Sequence, residues 1–504
     1  MSREDFVSRK KFSLLALFLQ ALFILLFGLF TEYKINEARP SATNDSEAAG
    51  FVNGVDALYP MFMDVHSMMF LGFGFLMAFL SRYGYSSIGL NFLLGAFILQ
   101  WATLSLGFFH QYPDFNKNIQ IDLTNLLTAD FAAAAVMITF GAVLGKVSST
   151  QLLVIGLMEI IFFSVNEMIG VKIFKAVDIG GSIFVHTFGA YFGLGLSRML
   201  STTTRHARKV GSSKEGAIYH SDLFAMLGAI ILWLYWPSFN GSPASGDQRH
   251  RVVINTYYSL SACVVVTFAF SALFSKEGKI DMVHVQNATL AGGVAVGSTA
   301  DFLIEPWGAM FLGSLAGLIS VSGYVYLQPF LQKHLHLHDT CGVHNLHGMP
   351  GVLAALGSAV AVKVIDTSKY GNTLGKVLPA VGDGRSASSQ AGYQIAALVV
   401  TLVIALAGGA FTGLVLRFWG GALDAVKDDE ENMFDDAVHW HVGADTLEQS
   451  NVTLPAPVNA SLAAASSAAA DGDGIKLRRT LTEMSETDAE QAMRAADRAR
   501  ESAI

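Results

Sequence analysis

Two histidines set in apolar, glycine-rich sequence carry the chemistry open to this chain. His186 follows the stretch Asp178-Ile179-Gly180-Gly181, and His344 follows Asp339-Thr340-Cys341-Gly342. An aspartate just ahead of a helix accepts hydrogen bonds from the free N–H groups of the first turn. Asp178 and Asp339 therefore read as helix caps, and each also biases its surroundings toward cations. Two imidazoles meeting in an apolar lumen share one hydrogen bond, one ring donating N–H and the other accepting. Such a pair is uncharged and suits a small neutral or weakly basic solute. Haem held between histidines of facing helices is the competing chemistry. The paired ligand sets of a multi-haem protein and any quinone or flavin motif are absent from the sequence, so no cofactor is expected and the chain does not read as an enzyme.

The elements that must position these residues are membrane helices. Of 504 residues, 52% are hydrophobic and 15% charged, and the mean hydropathy is +0.44. Windows long enough to cross ~30 Å of hydrocarbon number twelve: 12–31, 58–80, 86–109, 123–145, 149–170, 179–200, 219–239, 252–274, 282–303, 306–328, 342–364 and 391–417. The expected fold is an all-α polytopic membrane protein, with a transmembrane domain over 1–420 and an acidic, largely disordered cytoplasmic tail over 421–504. The first apolar run is a full span with no cleavage site before Thr31-Glu32-Tyr33-Lys34, so it reads as a retained anchor. Arg9, Lys10 and Lys11 share a side with Arg205, Arg208, Lys209 and Lys214, which makes both termini cytoplasmic. Asn44-Asp45-Ser46 then lies outside as a glycosylation acceptor at Asn44, whereas the patterns at Asn451 and Asn459 face the cytoplasm and go unused. The net charge of −8 owes much to the tail and gives no basic face for nucleic acid. Cys263 and Cys341 make no disulfide framework.

Five spans separate the two acid-then-histidine helices, and an odd offset means that a duplicated unit enters the membrane from opposite faces. Spans two to six and seven to eleven are the expected inverted five-helix repeats, with spans one and twelve outside them. His186 and His344 should then meet near mid-membrane. Ionisable groups inside spans are functional candidates by default; the others are Asp64, His66, Asp130, Glu159, Glu167, Asp222, His284 and His347. His66, His284 and His347 lack support from the repeat and read as buried histidines with satisfied hydrogen bonds. Glycines four apart (Gly189 and Gly193, Gly293 and Gly297, Gly313 and Gly317, Gly409 and Gly413) read as close helix contacts.

Four stretches resemble one family over nearly the whole membrane domain: DVHSMMFLGFG from Asp64, GGSIFVHTFGAYFG from Gly180, MVHVQNATLAGGVAVG from Met282 and DTCGVHNLHGMPG from Asp339. The resemblance is to the Rh glycoproteins, a branch of the ammonium transporters. It implies a homotrimer in the lipid bilayer of the cell membrane, each protomer with a narrow pore for ammonia and with carbon dioxide as a second candidate solute. It implies that His186 and His344 are the twin pore histidines, that Phe131 and Phe239 stack as an outer gate, and that Asp178 and Glu167 supply negative charge outside it. Asp222 and Asp281 resemble the acids of an inner vestibule, and Asn240 and Asn345 would contribute hydrogen bonds along the conduit. The helix from Met158 to Met168 lacks the tryptophan that contributes a cation–π site in bacterial and plant ammonium transporters, which favours lower-affinity conductance of the neutral gas. An ammonium sensor signalling through the tail would use the same residues with a different output.

Overall fold

The computed structural model describes residues 10–34, 54–115, 117–201, 214–420, 423 and 432–442. Asn44 and most of the tail lie outside the described residues. Ten helices within them are long and apolar enough to cross a membrane: α1 (Lys11–Phe30), α2 (Leu58–Phe79), α3 (Gly84–Phe109), α4 (Leu123–Ala142), α5 (Ser149–Ile173), α7 (Tyr219–Gly241), α8 (Gly246–Phe274), α10 (Glu305–Leu335), α11 (His344–Val364) and α12 (Ala387–Phe418). The other two expected spans are α6 and α9. Residues 182–201 form α6, which opens in π-helical geometry over Ser182–Thr187 and continues as Phe188–Ser201. The ninth, α9, is broken into Met282–Ala288 and Ala291–Gly297. The strands among the described residues are a parallel three-residue pair, β1 (Thr31–Tyr33) with β2 (Ile119–Ile121).

Local chemistry sets where these helices begin. Asp122 and Asn125 cap α4 reciprocally, side chain to backbone, at 3.1 and 2.8 Å, and Ser148 with Gln151 does the same for α5. The sequence of α1 is apolar all round, and only 11% of its most apolar stretch is buried in the protomer, against 67% for α4 and for α11. The first therefore stands at the periphery facing lipid, and the other two form the centre.

Apolar area drives little helix association in lipid, so backbones must come close. The glycine pairs do this. A Cβ on Gly189 would run into the backbone of Ala135 on α4, on Gly313 into the Ser259 carbonyl on α8, and on Gly409 into the Phe192 carbonyl on α6. Gly293 is covered by the Trp236 indole and Gly297 by Ser182.

The tail boundary moves. Residues 434–440, placed in a disordered tail by composition, pack on the membrane domain. Phe434 is buried and its N–H donates to the Gly145 carbonyl at 3.0 Å. Asp436 accepts from the N–H groups of Tyr85 and Ser86 at the start of α3, both at 2.8 Å, and Trp440 donates its indole N–H to Ser86 at 2.9 Å. An acidic, Phe-containing run reads as solvated because its one aromatic and its carboxylates find their partners on loops remote in sequence.

Candidate conduit and its histidine pair

The two broken entrances are built alike from opposite ends. Asp178 accepts from the N–H groups of Ile183 and Phe184 at 2.8 and 2.9 Å, and its other oxygen takes the Ser298 hydroxyl at 2.5 Å. Asp339 accepts from the N–H groups of Val343 and His344, both at 3.0 Å. Three residues after each aspartate the chain turns through a left-handed glycine, Gly181 (φ 67°) and Gly342 (φ 70°), where any side chain would be strained. Each glycine leads into a π-helical turn, Ser182–Thr187 and His344–Gly348. Both caps act as the sequence suggests.

His186 does meet a histidine, but it is His347 and not His344. The Nδ1 atoms of His186 and His347 are 3.1 Å apart, and the rings lie parallel at 5° with centroids 5.2 Å apart. Both side chains are buried. One Nδ1 donates and the other accepts, and Nε2 of His186 has no partner among the described residues. Two rings ligating a haem iron from opposite faces, each at a metal–nitrogen distance of about 2 Å, would hold their nitrogens about 4 Å apart, so the pair is spaced as a hydrogen bond rather than as the two faces of a haem. His344 points elsewhere. Its Nε2 lies 3.4 Å from the Tyr191 hydroxyl, with the rings edge-on at 84°. The two histidines of α11 are three residues apart, and the turn that opens the helix sends the later one inward. The sequence held the signal. His186 follows Asp178 by eight residues and His347 follows Asp339 by eight, a register that also aligns Gly181 with Gly342.

Outside the pair, Phe239 packs 5.4 Å from His186 and meets Phe131 at 4.8 Å. The two phenylalanines meet edge to face at 68° instead of stacking as expected, the arrangement that ring quadrupoles favour. Trp236 lies nearly parallel to His186 at 5.5 Å, so the indole beside the pair comes from α7. Above the phenylalanines opens a cavity of about 590 Å³, lined among others by Glu167, Asp178, Asp301, Phe131 and Phe239. Glu167 accepts from the His110 ring at 2.9 Å. On the inner side, His347 borders a small cavity of about 20 Å³ with Phe73, Met137, Asn287, Cys341 and Leu346.

The remaining candidates are placed as follows. Asn240 donates to the Thr256 hydroxyl at 3.1 Å and to the Gly293 carbonyl at 3.2 Å, tying α7 to α8 and α9. Asn345 donates to Gln328 at 2.7 Å, tying α11 to α10, so the amides of both hold helices together. Asp222 accepts from Gln286 at 3.3 Å. Asp281 caps Met282–Ala288 through the N–H of Val283 at 2.8 Å. His284 is the satisfied histidine it was expected to be, 2.9 Å from the Ser271 hydroxyl. His66 is also satisfied, by Asp130.

Behind α11, the half-buried Lys146 donates to the carbonyls of Ala142 and His338, each at 2.9 Å. It thereby pins the segment leading into Asp339. Burial pushes its ammonium down to about 8, although Glu215 and Asp339 pull it up.

Known proteins share this chain's sequence and fold. The model of the ammonium transporter family matches residues 22–443. The chain is 48% identical over 452 residues to the ammonium transporter Rh type B-B of Xenopus laevis, covering 88% of this chain and 96% of that one. It is 46% identical over 436 residues to the Rh type C transporter of Canis lupus familiaris, covering 84% and 92%. Among solved structures it resembles Nitrosomonas europaea Rh50, with a TM-score of 0.66, 31% identity and coverage of 81% of this chain and 96% of that one. Saccharomyces cerevisiae Mep2, at 18% identity and a TM-score of 0.61 over 77% of this chain and 92% of that one, shares the fold.

Proposed function

The chain belongs to the Rh branch of the ammonium transporter family, and from that footing we propose that it passes ammonia as the neutral gas along the line from the outer cavity through Phe131, Phe239, His186 and His347. The observation that carries the proposal is the buried His186–His347 hydrogen bond, 3.1 Å long, directly inside the aromatic pair. An ammonium ion stripped of water in a narrow apolar conduit bears a Born cost on the order of 20 kcal/mol before compensation. A histidine pair without a carboxylate in contact with it offsets little of that.

The steps follow from position. Glu167 and Asp178 border the outer cavity, where water still screens charge, and their carboxylates concentrate ammonium there. The proton is left in that cavity, and ammonia slips past the edge-to-face rings. It then exchanges hydrogen bonds with the ring nitrogens of His186 and His347 and leaves past Asn287 and Cys341. Asp222 and Asp281 act at the inner mouth as acids that favour reprotonation. Carbon dioxide, small and apolar, fits the same dry passage as a second solute.

The working unit is a homotrimer in the cell membrane, with both termini cytoplasmic and Asn44 glycosylated outside. Exposed apolar side chains along α7 and α8, among them Leu223, Leu227, Ile254 and Val265, supply faces suited to subunit contact.

The test is flux in proteoliposomes with an internal pH dye and voltage clamped by an ion gradient. An ammonium pulse should alkalinise the lumen quickly without current at any imposed voltage. An ammonium-dependent, voltage-sensitive current abolished by His186→Ala would show net charge transfer and end the neutral-gas reading.

A further inference from the structure

Both phenylalanines at the outer narrowing have chain neighbours hydrogen-bonded to one turn of α2. Asp130 precedes Phe131 on α4 and is fully buried. Its carboxylate accepts from Nδ1–H of His66 at 3.0 and 3.2 Å. Ser238 precedes Phe239 on α7 and donates its hydroxyl to Asp64 at 2.6 Å. Between Asp64 and His66 lies Val65, itself fully buried, and the His66 ring is wedged between Phe62 and Phe70 at centroid distances of 5.1 and 4.6 Å. Two residues of α2, Asp64 and His66, thus hold two other helices, each at the residue before a phenylalanine of the narrowing.

The chemistry of these contacts makes them constraints on distance. Asp130, fully buried, has no water to fall back on, so breaking its hydrogen bond to the half-buried His66 is costly, and the half-buried Asp64 and Ser238 are held by a short contact of 2.6 Å. Ring packing alone is softer, because dispersion between two rings changes gradually as they slide. The edge-to-face contact of Phe131 and Phe239 at 4.8 Å has no polar atom of its own to fix it. The polar ties sit one residue away, on both sides, and converge on α2.

We infer that Asp64 and His66 are positioning residues for the narrowing. Through Ser238 and Asp130 they hold α7 and α4 at the separation where Phe131 and Phe239 meet, and so set the size of molecule that passes. The inference rests on reading that ring pair as the outer constriction of the ammonia path.

Ammonia and methylamine differ by one methyl group, which makes their permeability ratio, measured at equal free-base concentration in proteoliposomes, a gauge of the narrowing. His66→Ala and Asp64→Ala should each raise the methylamine-to-ammonia ratio several-fold. His66→Asn, which keeps a side-chain N–H donor close to the position of Nδ1, and Asp64→Asn, which keeps an acceptor for Ser238, should restore the wild-type ratio. In a Phe131→Ala background, whose ratio is already raised, cutting either tie should change it no further. Should His66→Ala not be recovered as folded protein, Ser238→Ala cuts the second tie by one hydroxyl and carries the same test. If Phe131→Ala itself leaves the ratio unchanged, the ring pair is not the constriction and the underlying reading falls. If Phe131→Ala raises the ratio while the tie variants leave it unchanged, or lower both solutes in parallel, the positioning role of Asp64 and His66 is overturned.

Discussion

Replacing His347 by alanine separates the geometry described here from the assignment that the sequence suggests. Among the described residues Nδ1 of His186 has one partner, Nδ1 of His347 at 3.1 Å, and its Nε2 has none. His347→Ala therefore leaves both nitrogens of a buried ring without a protein partner. An unsatisfied buried polar group costs about 1–3 kcal/mol, and about 1.4 kcal/mol corresponds to tenfold in rate. If that cost appears in full at the barrier, ammonia flux falls by about fivefold to about a hundredfold. His344→Ala removes a long contact to the Tyr191 hydroxyl, 3.4 Å, on the far side of the helix opening, and flux should stay within about twofold of wild type, the change expected from loss of a weak, partly exposed hydrogen bond. The assay is stopped-flow alkalinisation of proteoliposomes, with rates normalised to reconstituted protein. His186→Ala serves as the matched control and should resemble His347→Ala. A large loss with His344→Ala and none with His347→Ala would refute the reasoning outright, because it would place the working pair where the rings do not touch.

Three further outcomes are expected. Gly313→Ala and Gly409→Ala drive a methyl into facing backbone carbonyls and should each cost about 1–3 kcal/mol, read as earlier thermal aggregation in detergent, whereas Gly28→Ala, with open space around it, should be neutral; equal behaviour of all three would refute the close-contact reading. Asp178→Ala removes the acceptor for Ile183, Phe184 and Ser298 and should lower stability by about 1–2 kcal/mol as a lost cap. Asp178→Asn keeps an acceptor and should chiefly reduce flux at low ammonium; unchanged flux at low ammonium in Asp178→Asn would leave no electrostatic role for the carboxylate. Deleting Asp424–Ile504 should leave trimers intact in mild detergent, because the close helix contacts all lie in the spans. It should still lower thermal stability by at least about 2 kcal/mol, the worth of one buried phenylalanine, here Phe434, while truncation after Val442 should not; dissociation into monomers after the first deletion would overturn this division.

Several features were legible because the membrane imposes them on the sequence directly. The hydrocarbon thickness demands about twenty apolar residues per crossing, so the spans stand out with no knowledge of their partners. Asp178 and Asp339 were legible as caps because a cap acts on its own next few residues. Glycines four apart announced close helix contacts for the same local reason, one helical turn being the distance between them. The interruption of α9 was not legible, since MVHVQNATLAGGVAVG is apolar enough to run through. Nor was the seating of Phe434, whose partners at Gly145 and His338 lie far away in the chain.

The identity of the second histidine marks the division most clearly. By itself the sequence determined that two acid-led helices enter from opposite faces and that each brings a histidine inward, because composition, spacing and parity are properties of one dimension. Only the tertiary structure decided whether that histidine on α11 is His344 or His347. They are one turn apart on a helix whose opening winds through a left-handed glycine, Gly342, into a wider π-helical turn. The winding rotates His347 toward His186 and leaves His344 against Tyr191. Side-chain direction at such an opening is set by the cap, the glycine and the packing of α6 against α11 together, and the three come together only in the folded chain.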